Sequence, residues 1–270
     1  MTIKFCSFNV RYGSANDGEN GWSNRRGFCC ELWKTGGWDI VGTQESLRGQ
    51  IDEIREHAPE YAEVGVGRDD GMSAGEHCAI LYRSSRLRPL ASGTFWLSET
   101  PDVVGSRFPG TRHSRICTWA HFLDVEAGRA FWVYNAHTDH ESQPAREHAS
   151  HLIIERALSR GDADPVVLMG DFNASPDNPA ILQLTGPGSP FRNDTYASMH
   201  PGDIDAFTYH GFTGAAEGRE AKIDYIFASP EWTVDSSEIV RTHVDGRYPS
   251  DHFPITATLT AKLGSTSKID

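Results

Sequence analysis

Pro165-Val166-Val167-Leu168-Met169-Gly170-Asp171-Phe172-Asn173 is the stretch on which the reading of this chain turns. An uncharged apolar run between a proline and a glycine is the pattern of a strand buried on both faces. It ends on a carboxylate, an aromatic ring and a carboxamide. Side chains alternate along extended backbone, so Asp171 and Asn173 leave it on the same side, about 7 Å apart. Polar groups held at a buried strand end are costly unless they find partners or bind something. An Asx turn before Ser175-Pro176 would explain a lone Asp-x-Asn equally well. Repetition weighs against that explanation, because other apolar segments finish in the same way.

Working outward, Asn9 closes an alternating segment over residues 3–10, and Glu45 follows the short buried strand 38–43. Asn135 and His137 end a strand that pairs as a hairpin with 116–125. Asp224 lies in the strand 223–227, and Asp251 with His252 precedes the strand 254–260. None of these groups has an obvious local ion-pair partner. If the strand ends converge, they form an amide-lined pocket rich in carboxylates and holding two histidines. Hard oxygen ligands of this kind suit Mg²⁺ or Mn²⁺, whereas Zn²⁺ sites draw more on His and Cys. A metal with two histidines and amide donors is equipment for attack of water on phosphorus.

Helices are predicted over residues 25–34, with Phe28, Cys29 and Leu32 inward, and over 47–57, 142–158 and 178–184. The helix 142–158 places Ala145, Ala149, Leu152, Ile153 and Leu158 on one side. His148 and His151 on it read as a solvated face. Further strands are expected at 61–67, 77–82, 90–97 and 234–242. Residues 98–114 form a long loop without periodicity, a length that is usually functional or mobile. Residues 185–219 are rich in Gly, Pro and aromatics. No linker divides the chain, so residues 1–262 read as one α/β domain, a monomer, with 263–270 as a disordered tail.

The totals limit the function classes. The chain has 270 residues, 38% hydrophobic and 23% charged, as in a globular protein. No apolar run approaches the ~20 residues of a membrane span. The first residues read as strand, not as a signal peptide. Five cysteines without a Cys-x-x-Cys pair point to reduced thiols and a cytoplasmic setting. A net charge of −12 offers no general field for duplex nucleic acid. A local basic groove stays open, with Arg25, Arg26, Arg68, Arg107, Arg112 and Arg219 in reach and Trp22, Trp96, Phe108, Tyr209 and Phe212 able to stack on a base.

Ser7-Phe8-Asn9-Val10-Arg11, Thr43-Gln44-Glu45, Asn135-Ala136-His137, Gly170-Asp171-Phe172-Asn173, Lys222-Ile223-Asp224-Tyr225-Ile226 and Tyr248-Pro249-Ser250-Asp251-His252 together resemble the ordered motifs of the endonuclease/exonuclease/phosphatase superfamily. The likeness runs from the first strand to the last. It implies a four-layer α/β sandwich, two packed mixed β-sheets flanked by helices, and metal-dependent phosphoester hydrolysis. By position it implies Glu45, Asn9 and Asp251 as metal ligands, directly or through water. Asp171 and Asn173 would hold the attacking water and a phosphate oxygen. His252 would be general base or transition-state stabiliser, oriented by Asp224. His137 would donate to the scissile phosphate, with Glu76 as its carboxylate partner. Asn135 and Arg115 would contact the phosphate, Arg115 because guanidinium forks match phosphate oxygens. The hexapeptide Asn135-Ala136-His137-Thr138-Asp139-His140 also resembles a metallo-β-lactamase-like zinc motif, but Asn135 replaces its first histidine.

Three functions follow in order. The first is a Mg²⁺- or Mn²⁺-dependent hydrolase of a small organic phosphate or phosphodiester. The second is a nuclease of the same superfamily, and the third a non-catalytic binding module on the same fold.

Overall fold

The computed structural model describes residues 1–203, 205–216 and 222–262. Arg219 and the expected tail 263–270 lie outside the described residues. Two six-stranded mixed sheets face one another. The first contains β1 (Thr2–Asn9), β2 (Ile40–Gln44), β3 (Tyr61–Val64) and β4 (Ile80–Arg83), with β11 (Trp232–Ile239) and β12 (Ile255–Ala261), in the order β11-β12-β1-β2-β4-β3. The second contains β5 (Leu87–Trp96), β6 (Ile116–Asp124), β7 (Arg129–His137), β8 (Val166–Asp171), β9 (Asn193–Asp194) and β10 (Asp224–Ala228), in the order β5-β6-β7-β8-β10-β9.

The central pair of each sheet is parallel, β1 with β2 and β7 with β8. Parallel neighbours need a crossover, and a helix supplies it in each case. These are α1 (Trp22–Gly36) and α3 (Gln143–Leu158). Both parallel pairs run into the same end of the sandwich, so the four strand ends meet there. Between the sheets lies a core that includes Phe5, Phe122, Phe131 and Trp232, all essentially solvent-free. Each such side chain contributes roughly 1.5–3 kcal/mol through burial. Outside the first sheet, α1 and α2 (Arg48–His57) cover Cys6, Phe8 and Val41. Outside the second, α3 and α4 (Pro179–Thr185) cover Leu168, Phe172 and Tyr225. This is the expected four-layer order.

Polar bonds pin the two sheets together as well. Gln44 Nε2 donates to Asn135 Oδ1 at 2.7 Å, and Asn135 Nδ2 donates to the Thr43 and Ala79 carbonyls, each at 2.9 Å. Gly42 leaves room for this amide, since a Cβ there would stand 2.7 Å from it.

Several boundaries differ from expectation. β4 starts at Ile80, not 77, because residues 65–79 fold back through isolated bridges of His77 with Ser46 and Gly67. β5 starts three residues early, at Leu87, pairing with Asp124. Leu158, expected inward, is 58% exposed, because it ends α3 beyond the edge of the covered surface. Within 185–219, α5 (Thr195–Met199) was not foreseen; Asp194 caps it by accepting from the Tyr196 and Ala197 amides. No helix among the described residues is long and apolar enough to cross a membrane.

Candidate active site

The register brings three of the expected residues onto one rung. His137 on β7 is level with Asp171 on β8, and Asp171 is level with Asp224 on β10. Gly170 makes the approach possible: it has φ +152°, and a Cβ there would lie 2.0 Å from the Ala136 carbonyl oxygen. Immediately after β8 the chain turns, Asn173 adopting φ +47° with its amide bonded to Asp171 Oδ1 at 2.9 Å. The Asx turn therefore exists, but it forms on Asp171 and aims the Asn173 amide into the site. Asn173 Nδ2 reaches His137 Nε2 at 3.0 Å and the Thr138 carbonyl at 3.2 Å.

From the first sheet, Asn9 at the end of β1 donates through Nδ2 to Asp171 Oδ2 at 2.9 Å and Glu45 Oε1 at 3.1 Å. Its Oδ1 accepts the Arg11 amide. Asn9 thus bridges two carboxylates and turns its oxygen toward the backbone. Glu45, just past β2, is held at φ +60° and Arg11 at φ +55°. Left-handed backbone at bulky residues costs about 1–3 kcal/mol and persists where the surroundings demand it.

Glu45, Asp171, Asp251, His137 and His252 all line one cavity of about 690 Å³. Within it, His252 Nδ1 meets Asp224 Oδ2 at 2.8 Å and its Nε2 faces Asp171 Oδ2 at 3.9 Å. Burial opposes a charge on His252. Asp224 above all, then Asp171 and Asp251, overcome that and hold the imidazolium up to about 10. Burial, reinforced by the Asp224 charge, pushes Asp171 up to about 7. His137 is driven the other way, well below the ordinary histidine range, by burial and then by the cations Arg115 and Arg68. The surroundings thus push the two histidines in opposite directions, His252 toward the cation and His137 toward the neutral imidazole.

Arg115 is 8% exposed, so it is no surface arginine. Its Nη1 lies 3.0 Å from His137 Nδ1 and its Nη2 2.9 Å from His140 Nδ1, while Nε has no hydrogen-bond partner among the described residues. The nearest carboxylate, Glu76, is 3.9 Å away. Glu76 was expected beside His137 but stands 3.9 Å from it and only 2.6 Å from Arg68. The full cation outcompetes a neutral ring for the carboxylate. Asn135 also departs from expectation, because its amide is fully buried and spent on joining the sheets, with no donor left for a phosphate.

Among the described residues, two places gather metal-binding side-chain types closely. Asp171, Asp224 and His252 are one, but there His252 Nδ1 is already bonded to Asp224 at 2.8 Å. His121, Asp162 and Asp164 are the other, outside the cavity. A better fit is Glu45 with Asp251, which already share a cation: Arg11 lies 4.0 Å from Glu45 Oε2 and 3.6 Å from Asp251 Oδ2. Two hard carboxylates gathered around one positive charge match a divalent ion with oxygen ligands.

The sequence reading passed over His113, from the loop 98–114, and Tyr12, both of which line the cavity. The length of that loop was the available signal. Of the expected stacking rings, Tyr209 lines the cavity, while Trp22 and Trp96 are buried, their indole nitrogens bonded to Glu53 and the Arg68 carbonyl. Arg25 is buried in α1 and forms no groove.

A family model described as Endonuclease/Exonuclease/phosphatase family matches residues 6–252. An endonuclease/exonuclease/phosphatase from Bacteroides vulgatus is similar at 35% identity, covering 97% of this chain and 100% of that one, with a TM-score of 0.88. A mannosyl-6-phosphatase from Bacteroides thetaiotaomicron is similar at 32% identity, over 96% and 99%, with a TM-score of 0.85. An uncharacterized protein of Acanthamoeba polyphaga mimivirus is 28% identical over 161 residues, which span 56% of this chain and 59% of that protein.

Proposed function

Because this chain belongs to the endonuclease/exonuclease/phosphatase family, whose members hydrolyse phosphoesters, we propose that it is a divalent-metal-dependent phosphatase acting on the monoester of a small polar molecule. The observation that carries the reading is Arg115, a buried guanidinium bonded to imidazoles with no carboxylate inside 3.9 Å. Glu76, 3.9 Å from Arg115, is shared with Arg68 at 2.6 Å, so one carboxylate serves two buried cations and positive charge is left over, which is costly. A phosphate dianion entering the cavity balances that excess, and a monoester carries more charge for it than a diester. The cavity of about 690 Å³ suits a small molecule. The likeness to a mannosyl-6-phosphatase supports the same substrate class.

In this reading Glu45 and Asp251 hold Mg²⁺ or Mn²⁺, and Asn9 keeps Glu45 and Asp171 in place. The ion, when bound, neutralises charge on the phosphate during in-line displacement. Asp171, raised toward neutrality, accepts the proton of the attacking water. As the ester P–O bond breaks, His252 donates its Nε2 proton to the departing oxygen, which leaves as the alcohol, and Asp224 fixes which nitrogen faces the cavity. Arg115, Asn173 and neutral His137 orient the phosphate and stabilise its charge as it redistributes.

The test is a hydrolysis screen with and without Mg²⁺ or Mn²⁺. It sets p-nitrophenyl phosphate and hexose phosphates against bis-p-nitrophenyl phosphate and labelled single- and double-stranded oligonucleotides. Metal-dependent release from the monoesters supports the reading. Cleavage confined to the oligonucleotides replaces it with the nuclease function.

A further inference from the structure

Arg25 is 4% exposed and, among the described residues, forms no ion pair within 4.0 Å. Each of its nitrogens donates to main-chain carbonyls instead. Nε reaches the Asn20 carbonyl at 3.0 Å, and Nη2 reaches that of Arg11 at 2.8 Å. Nη1 is shared between Val10 at 2.6 Å and Pro249 at 2.8 Å. The guanidinium stands 5.0 Å over the Trp22 ring and 5.7 Å from that of Phe212. Burying an arginine among carbonyls is expensive, and Cys29, Leu32 and Trp33 of α1 already join an apolar cluster with the first sheet.

The carbonyls involved belong to two segments far apart in sequence. Val10 and Arg11 follow Asn9 at the end of β1, and Pro249 precedes Asp251 and His252. A second link lies beside the first, where Ser250 Oγ donates to the Asn9 carbonyl at 2.7 Å. Gln50, on α2, extends the frame to a third segment. Its Nε2 donates to the same Arg11 carbonyl at 3.0 Å, and its Oε1 accepts from the Gly13 amide at 2.7 Å and the Leu47 amide at 3.1 Å. Leu47 lies two residues after Glu45. Arg11 between these links is held at φ +55°, a conformation its own side chain disfavours.

We infer that Arg25 is a positioning residue: its Nη1, bonded to both Val10 and Pro249 and oriented by the bonds of Nη2 and Nε, fixes the spacing between the Asn9–Arg11 segment and the Asp251–His252 segment, and so between Glu45 and Asp251. This rests on the reading that those two carboxylates hold the metal. A lysine cannot replace it, since one ammonium nitrogen cannot hold at once the Asn20, Val10, Arg11 and Pro249 carbonyls that three guanidinium nitrogens reach.

The experiment compares wild type, Arg25→Lys, Arg25→Ala and Gln50→Ala in Mg²⁺ calorimetry, thermal midpoint, and kcat and KM for p-nitrophenyl phosphate. Displacing reacting groups by about 1 Å costs on the order of 10²-fold, so Arg25→Lys should lose about 10- to 100-fold in kcat with little change in KM. Its Mg²⁺ affinity should fall about tenfold, equivalent to about 1.4 kcal/mol. Millimolar guanidinium should restore kcat and Mg²⁺ affinity in Arg25→Ala and do nothing for wild type. If Arg25→Ala does not fold, Arg25→Lys and Gln50→Ala carry the same readouts. Wild-type kcat and Mg²⁺ affinity in Arg25→Lys would overturn the inference, as would a lowered midpoint with full specific activity. A wild type inactive on every phosphoester sinks the functional reading alone, because the calorimetry needs no turnover.

Discussion

Asp224 Oδ2 lies 2.8 Å from His252 Nδ1, with both side chains buried, and this contact leaves Nε2 as the nitrogen that faces Asp171. The pair spans the two sheets: Asp224 stands on β10 of the second sheet, and His252 precedes β12 of the first. Closing the sandwich therefore also assembles the site.

His252 acts as a cation, held charged up to about 10 chiefly by Asp224. Its folded value lies above the ordinary 6.5, so activity that needs the proton is present at neutral pH and is lost as pH rises through the raised value. Asp224→Asn removes the principal support, and burial then favours the neutral ring. The alkaline limb of the kcat profile should move down by at least about two pH units, within the range that burial and charge effects span. An unmoved limb would assign it to another group.

Asp171→Asn keeps the shape of the side chain and removes the base. A loss of about 10²–10⁴-fold in kcat is expected. His252→Ala should lose a similar amount, and the double variant little more than the worse single one, because both act on one transition state. Multiplied losses in single-turnover rates would separate them.

His210 is packed on Phe253, 4.0 Å between centroids, and accepts the Gly214 amide. Burial, followed by the His252 charge, lowers its value from 6.5 to about 4. Between those limits the unfolded chain binds a proton that the folded chain refuses. His210 thus costs stability as pH falls from 6.5 toward 4, and nothing above 6.5. Thermal midpoints of wild type and His210→Phe should diverge over that window, with the variant losing less. Parallel curves would mean that His210 is not held neutral.

Asn135→Leu should destabilise the fold by about 2–4 kcal/mol, because it strips partners from Gln44 and from the Thr43 and Ala79 carbonyls. The folded fraction should keep its kcat and KM. Urea unfolding and steady-state kinetics together decide this; a raised KM at unchanged stability would return Asn135 to the phosphate.

What could be read from sequence follows from what alternation and periodicity report. Strands 3–10, 130–135 and 166–171 alternate or are mostly apolar, so their ends, and with them Asn9, His137 and Asp171, were visible. Asp224 and His252 also stood beside predicted strands, but that the one orients the other was implied only by the resemblance, and spacing could not show their contact because 28 residues separate them. The five residues of α5 are too few for a period and depend on the Asp194 cap. Leu158 was misread because periodicity says which face a residue occupies, not where the covering layer stops. Arg25 and Asn135 share one cause of error. Their types suit ligand contacts, and only the fold shows that their donors end on main-chain carbonyls.

The central claim is that water attacks phosphorus directly. No thiol lines the cavity to form an ester; Cys78 and Cys117, like the other cysteines, are buried, and burial raises their thiols. One displacement inverts phosphorus, whereas two successive displacements through an enzyme ester retain its configuration. The decisive measurement is hydrolysis of a p-nitrophenyl phosphorothioate made chiral with oxygen isotopes, in water carrying the third isotope. Inversion is the predicted result. Retention, or a phosphoprotein trapped by rapid acid quench, would contradict it.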